Sequence, residues 1–161
     1  MTWLVIGTDA VLGVFALMFL ALWFKHRLRA LLAGAGVVVA YAVSEVVKLV
    51  VQEERPCRTA PSLAPCPEPG DWSFPSNHSV IAGASAMAIW ALHRTFGWVA
   101  VICAAAAAAS RVIVGVHYVH DVLAGLALGA LVSWGIAVLL EKRQQQRDEA
   151  DAPTVVMQRL R

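Results

Sequence analysis

The stretch from Trp72 to Leu140, WSFPSNHSVIAGASAMAIWALHRTFGWVAVICAAAAAASRVIVGVHYVHDVLAGLALGALVSWGIAVLL, holds 69 residues and three charged side chains, Arg94, Arg111 and Asp121. A domain surrounded by water needs charge spread over its surface, and this stretch cannot supply it. The first 24 residues repeat the pattern, with Asp9 as their single charge. Across all 161 residues there are 13 basic and 11 acidic side chains, and 59% of the chain is hydrophobic. A disordered chain is excluded, because low hydrophobicity and high net charge are both missing. A formal net charge of +2 without a basic stripe gives no case for nucleic-acid binding. The class that remains is an integral membrane protein.

A hydrocarbon core of roughly 30 Å takes about 20 apolar residues of helix. Five stretches qualify by eye: Trp3–Phe24, Leu31–Val51, Ser76–His93, Gly97–Val116 and Val119–Leu140. The expected fold is therefore all-α, a polytopic helix bundle with about five transmembrane helices. The first stretch lacks a basic leader and has its basic residues behind it, so it reads as a retained helix. Lys25, Arg27 and Arg29, then Arg94, then Lys142, Arg143 and Arg147 fall on one side of such a bundle. The positive-inside rule makes that side cytoplasmic, with the N-terminus outside and the C-terminus inside. Residues 1–141 form the membrane domain on this reading. Residues 142–161 form a polar cytoplasmic tail, partly helical or disordered.

The long loop from Gln52 to Pro75 then lies outside, where an oxidising compartment permits Cys57 and Cys66 to form a disulfide. The alternative is two unpaired thiols in a Pro-rich loop. Cys103 reads as a small packing residue. Gly125-x-x-x-Gly129 and the run Ala104–Ala109 let helix backbones approach closely, for internal packing before any dimer.

Ionisable groups inside or at the ends of spans are costly and mark function. Lys48 and Arg55 end the second span, Ser76, Asn77 and His78 open the third, Arg111 and His117 end the fourth, and Asp121 opens the fifth. All four helix ends face the same, outer side. Lys48 and Arg55 are seven apart and share a helical face if the helix runs that far before Pro56 stops it. His117 and Asp121 are four apart, within reach if the turn is helical. Three cations and a helix N-terminus favour a phosphate or similar oxyanion.

This inventory suits phosphoryl transfer. The cations would neutralise the equatorial oxygens. One histidine would attack phosphorus and the other would protonate the leaving oxygen. Residue chemistry alone leaves open which of His78 and His117 is the nucleophile, although the Asp121 spacing favours His117. No metal or other cofactor is needed for this chemistry. The plainer readings are a snorkelling Lys48, ordinary loop charges at Arg55 and Arg58, and Glu45 paired with Lys48. His26 and His93 read as interface residues. His117-x-x-His120-Asp121 hints at a metal site, yet lacks a nearby third or fourth ligand.

Lys48-x6-Arg55-Pro56, Pro75-Ser76-Asn77-His78 and Ser110-Arg111-x5-His117-x3-Asp121 together resemble the three-part signature of the type 2 phosphatidic acid phosphatase superfamily, which includes the vanadium haloperoxidases. The resemblance implies His117 as nucleophile, Asp121 as its orienting partner and His78 as general acid/base. It implies Lys48, Arg55, Ser76, Asn77 and Arg111 as phosphate ligands. Asn77 stands where the family commonly has glycine, which retains the backbone amide and adds a side-chain donor. Many bacterial members have six spans where five are expected here.

The substrate implied is a lipid phosphate at the extracytoplasmic face of the cell membrane. Ser73-Phe74-Pro75-Ser76 with Gly115-Val116-His117-Tyr118 looks most like the undecaprenyl diphosphatases. Phosphatidylglycerol phosphate and phosphatidic acid are the alternatives. A lipid phosphotransferase, or a non-catalytic membrane protein with a vestigial site, are the other classes. Oligomeric state is not legible.

Overall fold

The computed structural model describes Thr2–Arg159, with side chains described for 10–150 except Lys25 and His26. The sequence reading of Lys25 and His26, and the tail beyond Arg159, lie outside the described residues. The chain forms α1 (Thr2–Val51), a 3-10 turn (Pro56–Arg58), α2 (Asn77–Leu92), α3 (Arg94–Ile113) and α4 (Val119–Arg159). Among the described residues there is no strand.

The helical backbone of α1 runs on through the expected connection at Lys25–Arg29. Its two halves nevertheless pack on the same bundle. Ala40 meets Val80 and Ala84 of α2. Phe15 and Leu22 join a buried cluster with Ala82, Ala86 and Ile89 of α2 and Ala100, Ala104 and Ala107 of α3. Along a straight helix Phe15 and Ala40 would stand about 37 Å apart, farther than the roughly 24 Å length of α2. The halves are not collinear, and the chain doubles back between Leu22 and Ala30.

The other boundaries shift modestly from expectation. α2 is one residue shorter at each end than Ser76–His93. α3 starts at Arg94, before Gly97, because the His93 imidazole accepts from the Phe96 amide and caps it. α4 does not stop at Leu140: helix continues through the polar tail to Arg159, the helical one of the two expectations for residues 142–161. From Glu141 to Ala152 a run rich in Gln, Arg, Glu and Ala has high helix propensity, which carries the helix beyond the apolar stretch. Among the described residues three segments are long and apolar enough to cross a membrane, Arg27–Val51, Arg94–Ile113 and Val119–Ala150; Ala10–Phe24 is shorter.

The bundle wears its large apolar residues outside. Leu17, Phe24, Leu49, Val50, Trp98 and Ile102 are all exposed, while small residues fill the interior. Ala104, Ala107 and Ala108 of the alanine run are buried. Gly83 of α2 backs onto Leu126 of α4, and Gly125 and Gly129 back onto Ser76, Ser79, Val80 and Ala84. The Gly-x-x-x-Gly motif is thus spent inside the chain. This inversion suits a solvent of lipid, where close backbone packing replaces the water-driven core. Arg29 donates to Gln144 at 3.1 Å, which brings the basic segments after the first and last apolar stretches to one end of the bundle.

Candidate active site

Every residue of the three-part signature lies at the opposite end, and each helix terminus there has a local cause. α1 stops at Val51 because Gln52 takes a left-handed conformation (φ 49°) while its amide still bonds Lys48 O at 3.0 Å. Arg55 is therefore off the helix, extended at ψ 146°. Lys48 and Arg55 do not share a helical face. The backbone turn after Val51 brings them together instead. At the end of α3, Gly115 (φ 78°) makes the left-handed step that returns the chain, with Ser62 of the loop close above it. Asp121, in the first turn of α4, accepts from the Tyr118 amide at 2.9 Å, the carboxylate half of a capping box. The Ser76 amide bonds Asp121 O at 3.2 Å, fastening the start of α2 to the start of α4.

His117 is almost fully buried on that turn. Its Nε2 lies 2.8 Å from Arg55 Nη1, and its Nδ1 lies 3.3 Å from Asp121 Oδ2. A guanidinium has donors only, so Nε2 must accept. The ring proton then sits on Nδ1, facing the carboxylate. This tautomer leaves a lone pair on Nε2, aimed at the cationic end of the site. Burial is the main cause that lowers the His117 pKa, Asp121 pulls against it, and Arg55 and Arg111 add to the lowering. The net direction is below the ordinary imidazole value, so the ring is neutral at neutral pH and able to attack an electrophile.

Lys48 and Arg55 are each 5% exposed, and buried cations need partners. Both find Asp71, which the sequence reading did not single out. Lys48 Nζ donates to Asp71 Oδ1 at 3.0 Å and Arg55 Nη2 to the same oxygen at 2.9 Å. Arg55 Nε also donates to the Asp71 carbonyl at 2.8 Å. Ser73 was missed as well: its hydroxyl donates to Asp121 Oδ2 and lies 3.3 Å from His117 Nδ1, holding carboxylate and ring together.

The remaining signature residues differ in placement. Ser76 is the N-cap of α2 and fully buried, and its hydroxyl has no hydrogen-bond partner among the described residues. That is an orphaned donor at a helix N-terminus, the kind of group an oxyanion satisfies. His78 lies half-buried in the first turn of α2, and Arg111 is buried in the last turn of α3. Asn77 departs from expectation. Its side chain donates to Glu45 Oε1 at 2.6 Å and accepts from Ser44 at 2.9 Å, so it ties α2 to α1 rather than extending a donor to phosphate. Glu45 is 3.8 Å from Lys48, a looser pairing than that of Asp71.

Cys57 and Cys66 are joined by a disulfide with Cα atoms 5.6 Å apart. It closes the loop whose Ala64 packs on Val114 and Val116, beside the His117 turn. Glu53, His120 and Asp121 bring ligand atoms within 4.8 Å of one another, a set able to hold a cation. His120 donates to Glu53 at 2.8 Å, which also accounts for the pair without an ion.

Residues 29–145 match the PAP2 superfamily. This chain belongs to it. A decaprenylphosphoryl-5-phosphoribose phosphatase from Mycobacterium tuberculosis is 36% identical over 81% of this chain and 67% of that protein. The undecaprenyl-diphosphatase BcrC of Bacillus subtilis is 33% identical over 79% of this chain and 68% of that protein. The fold matches the crystal structure of a transmembrane PAP2 type phosphatidylglycerolphosphate phosphatase from Bacillus subtilis, with a TM-score of 0.68 and 24% identity over 86% of this chain and 75% of that one. The present PAP2 chain is thus a multi-pass membrane protein of a lipid phosphatase family, with its signature residues gathered at one end of the bundle.

Proposed function

We propose that this PAP2 protein hydrolyses a polyprenyl-linked phosphate, with undecaprenyl or another polyprenyl diphosphate as the preferred substrate, through a phosphohistidine on His117. The observation that carries the reading is the His117 ring, its Nδ1 proton on Asp121 and its Nε2 lone pair among cations. In the first step Nε2 attacks phosphorus, the bond to the leaving oxygen breaks, and His78 protonates that oxygen. In the second, His78 takes a proton from water, water attacks phosphorus, and the P–N bond breaks to release phosphate. Lys48, Arg55, Arg111, the Ser76 hydroxyl and the amides at the start of α2 hold the equatorial oxygens. The positive charge that a metal would bring is supplied by these side chains.

Two of the relatives named above share, in their names, a long polyprenyl chain esterified to phosphate. That shared chemistry favours a polyprenyl tail over phosphatidylglycerol phosphate or phosphatidic acid. The test is phosphate release by the purified protein from undecaprenyl diphosphate, decaprenylphosphoryl-5-phosphoribose, phosphatidylglycerol phosphate and phosphatidic acid. A polyprenyl substrate should lead in kcat/KM by about tenfold or more, the discrimination a well-fitted apolar site provides. Equal rates would refute the polyprenyl reading, and no release from any of them would refute hydrolysis. The same assay with an added alcohol acceptor separates a phosphotransferase, which would pass phosphate on instead of releasing it.

The site belongs to the extracytoplasmic face on this proposal, with five apolar stretches crossing the membrane, residues 1–141 as the membrane domain and residues 142–161 in the cytoplasm. Support comes from the basic residues gathered at the other end of the bundle. After mild reduction of intact cells, a membrane-impermeant maleimide should label Cys57 or Cys66. Labelling that requires permeabilised cells would invert the orientation.

A further inference from the structure

The phosphate site already contains an anion. Asp71 Oδ1 receives hydrogen bonds from both Lys48 and Arg55. The Arg55 guanidinium that holds Asp71 through Nη2 holds the His117 Nε2 through Nη1. The carboxylate and the attacking nitrogen therefore sit on adjacent arms of one planar fork. A phosphoryl group poised for attack by Nε2 would present an oxygen to the same fork, since an arginine grips carboxylate and phosphate with the same bidentate geometry. One set of donors serves two anions.

Asp71 is also placed to move. Its side chain is 47% exposed whereas those of Lys48 and Arg55 are 6% and 5% exposed. It follows Gly70, a left-handed glycine (φ 93°), in a loop segment outside any helix. The segment is pinned on both sides, by Asp71 N to Glu68 O at 3.1 Å and by Ser73 N to Glu53 O at 2.7 Å. Between those anchors the carboxylate has solvent to rotate into, while the two cations do not.

We propose that the Asp71 carboxylate is the resident competitor of the phosphate subsite: it neutralises Lys48 and Arg55 in the empty enzyme, is displaced by the incoming phosphoryl group, and returns to expel inorganic phosphate after hydrolysis. This rests on the assignment of Lys48 and Arg55 to phosphate binding made above. The carboxylate sets the affinity for substrate and product alike. It spares two buried cations from standing unpaired, at the expense of tight phosphate binding. A site with both cations permanently vacant would hold its product strongly, and product release would slow turnover.

The competing role and a merely positioning role predict opposite signs. If Asp71 competes, Asp71→Asn frees two cations and tightens orthophosphate binding. If Asp71 only orients Lys48 and Arg55, its loss lets them drift and weakens binding. The experiment is equilibrium dialysis of the full-length protein in detergent against radiolabelled orthophosphate, which requires no turnover. Asp71→Asn should bind phosphate on the order of tenfold more tightly, equivalent to about 1.4 kcal/mol. Asp71→Glu, which keeps the charge, should stay near the wild type. Should Asp71→Asn fail to fold, Asp71→Ser carries the same expectation. Wild type that binds phosphate together with a neutral variant that binds equally or less tightly would overturn the proposal. Absence of phosphate binding by wild type and neutral variant alike would overturn the phosphate site itself.

Discussion

Alanine in place of His117 is expected to abolish phosphate release, a loss of at least about 10³-fold in kcat, because on the proposed mechanism this imidazole supplies the nucleophile of the covalent step. The ring is held at Nε2 by Arg55 and at Nδ1 by Asp121. Its removal leaves Asp121 Oδ2 still bonded to Ser73 and to the Tyr118 amide, so the turn should persist and thermal unfolding should change little. The experiment pairs steady-state phosphate release with acid-labile, base-stable labelling of the protein by a 32P-labelled aryl phosphate. An aryl leaving group needs little protonation, so His78→Ala should still become labelled and then accumulate label, lacking the base that activates water. His117→Ala should never become labelled. Undiminished turnover in His117→Ala, or labelling of His117→Ala and not of His78→Ala, would overturn the assignment.

That prediction rests on a geometry the sequence carried only partly. The four-residue spacing of His117 and Asp121 announces their contact, because both ends of that spacing lie at the entry to one helix. The seven-residue spacing of Lys48 and Arg55 misleads. It suggests a common helical face, but Gln52 ends α1 in a left-handed conformation, and the two cations meet around a carboxylate instead. Asp71 and Ser73 could not be picked out beforehand. The loop from Gln52 to Pro75 offers Glu53, Glu54, Glu68 and Asp71, and no spacing rule tells which acid folds back across more than twenty residues. Such contacts are set by loop closure, which leaves no periodic trace. Asn77 differs in its side chain alone, its backbone amide staying at the start of α2. Its position beside His78 promises a phosphate donor, yet the first turn of α2 directs its side chain to Ser44 and Glu45 of α1.

The helix count shows the same limit. Apolar length locates the helical stretches, since hydropathy is a local property, and three segments among the described residues are long enough to cross a membrane. The reversal inside α1 is visible only through the contacts of Phe15, Leu22 and Ala40 with α2 and α3.

The second large effect is expected at a residue with no side chain, Gly129. A Cβ there would lie within van der Waals overlap of the Val80 carbonyl oxygen and 2.7 Å from the Ala84 amide nitrogen. Both atoms are helix backbone, so neither can swing aside as a side-chain tip would. Gly83 faces the same restriction from Leu126 on the opposite side of the crossing. Gly129→Ala must therefore push α2 and α4 apart. Overpacking of this kind costs about 1–3 kcal/mol, visible as a lower unfolding temperature. The functional cost should be larger. α2 carries Ser76 and His78, α4 carries Asp121, and the Ser76 amide to Asp121 carbonyl bond joins their first turns. Displacing reacting groups by about 1 Å can cost about 10²-fold in rate, so kcat should fall by that order even in molecules that remain folded. Gly34→Ala is the matched control, because a Cβ at Gly34 meets nothing within 4 Å and alanine favours helix by about 1 kcal/mol; it should leave the rate unchanged and stability equal or slightly higher. Wild-type unfolding temperature and wild-type rate in Gly129→Ala would show that the two helices do not cross as closely as described, and the link from small residues to the placement of the active site would fail with it.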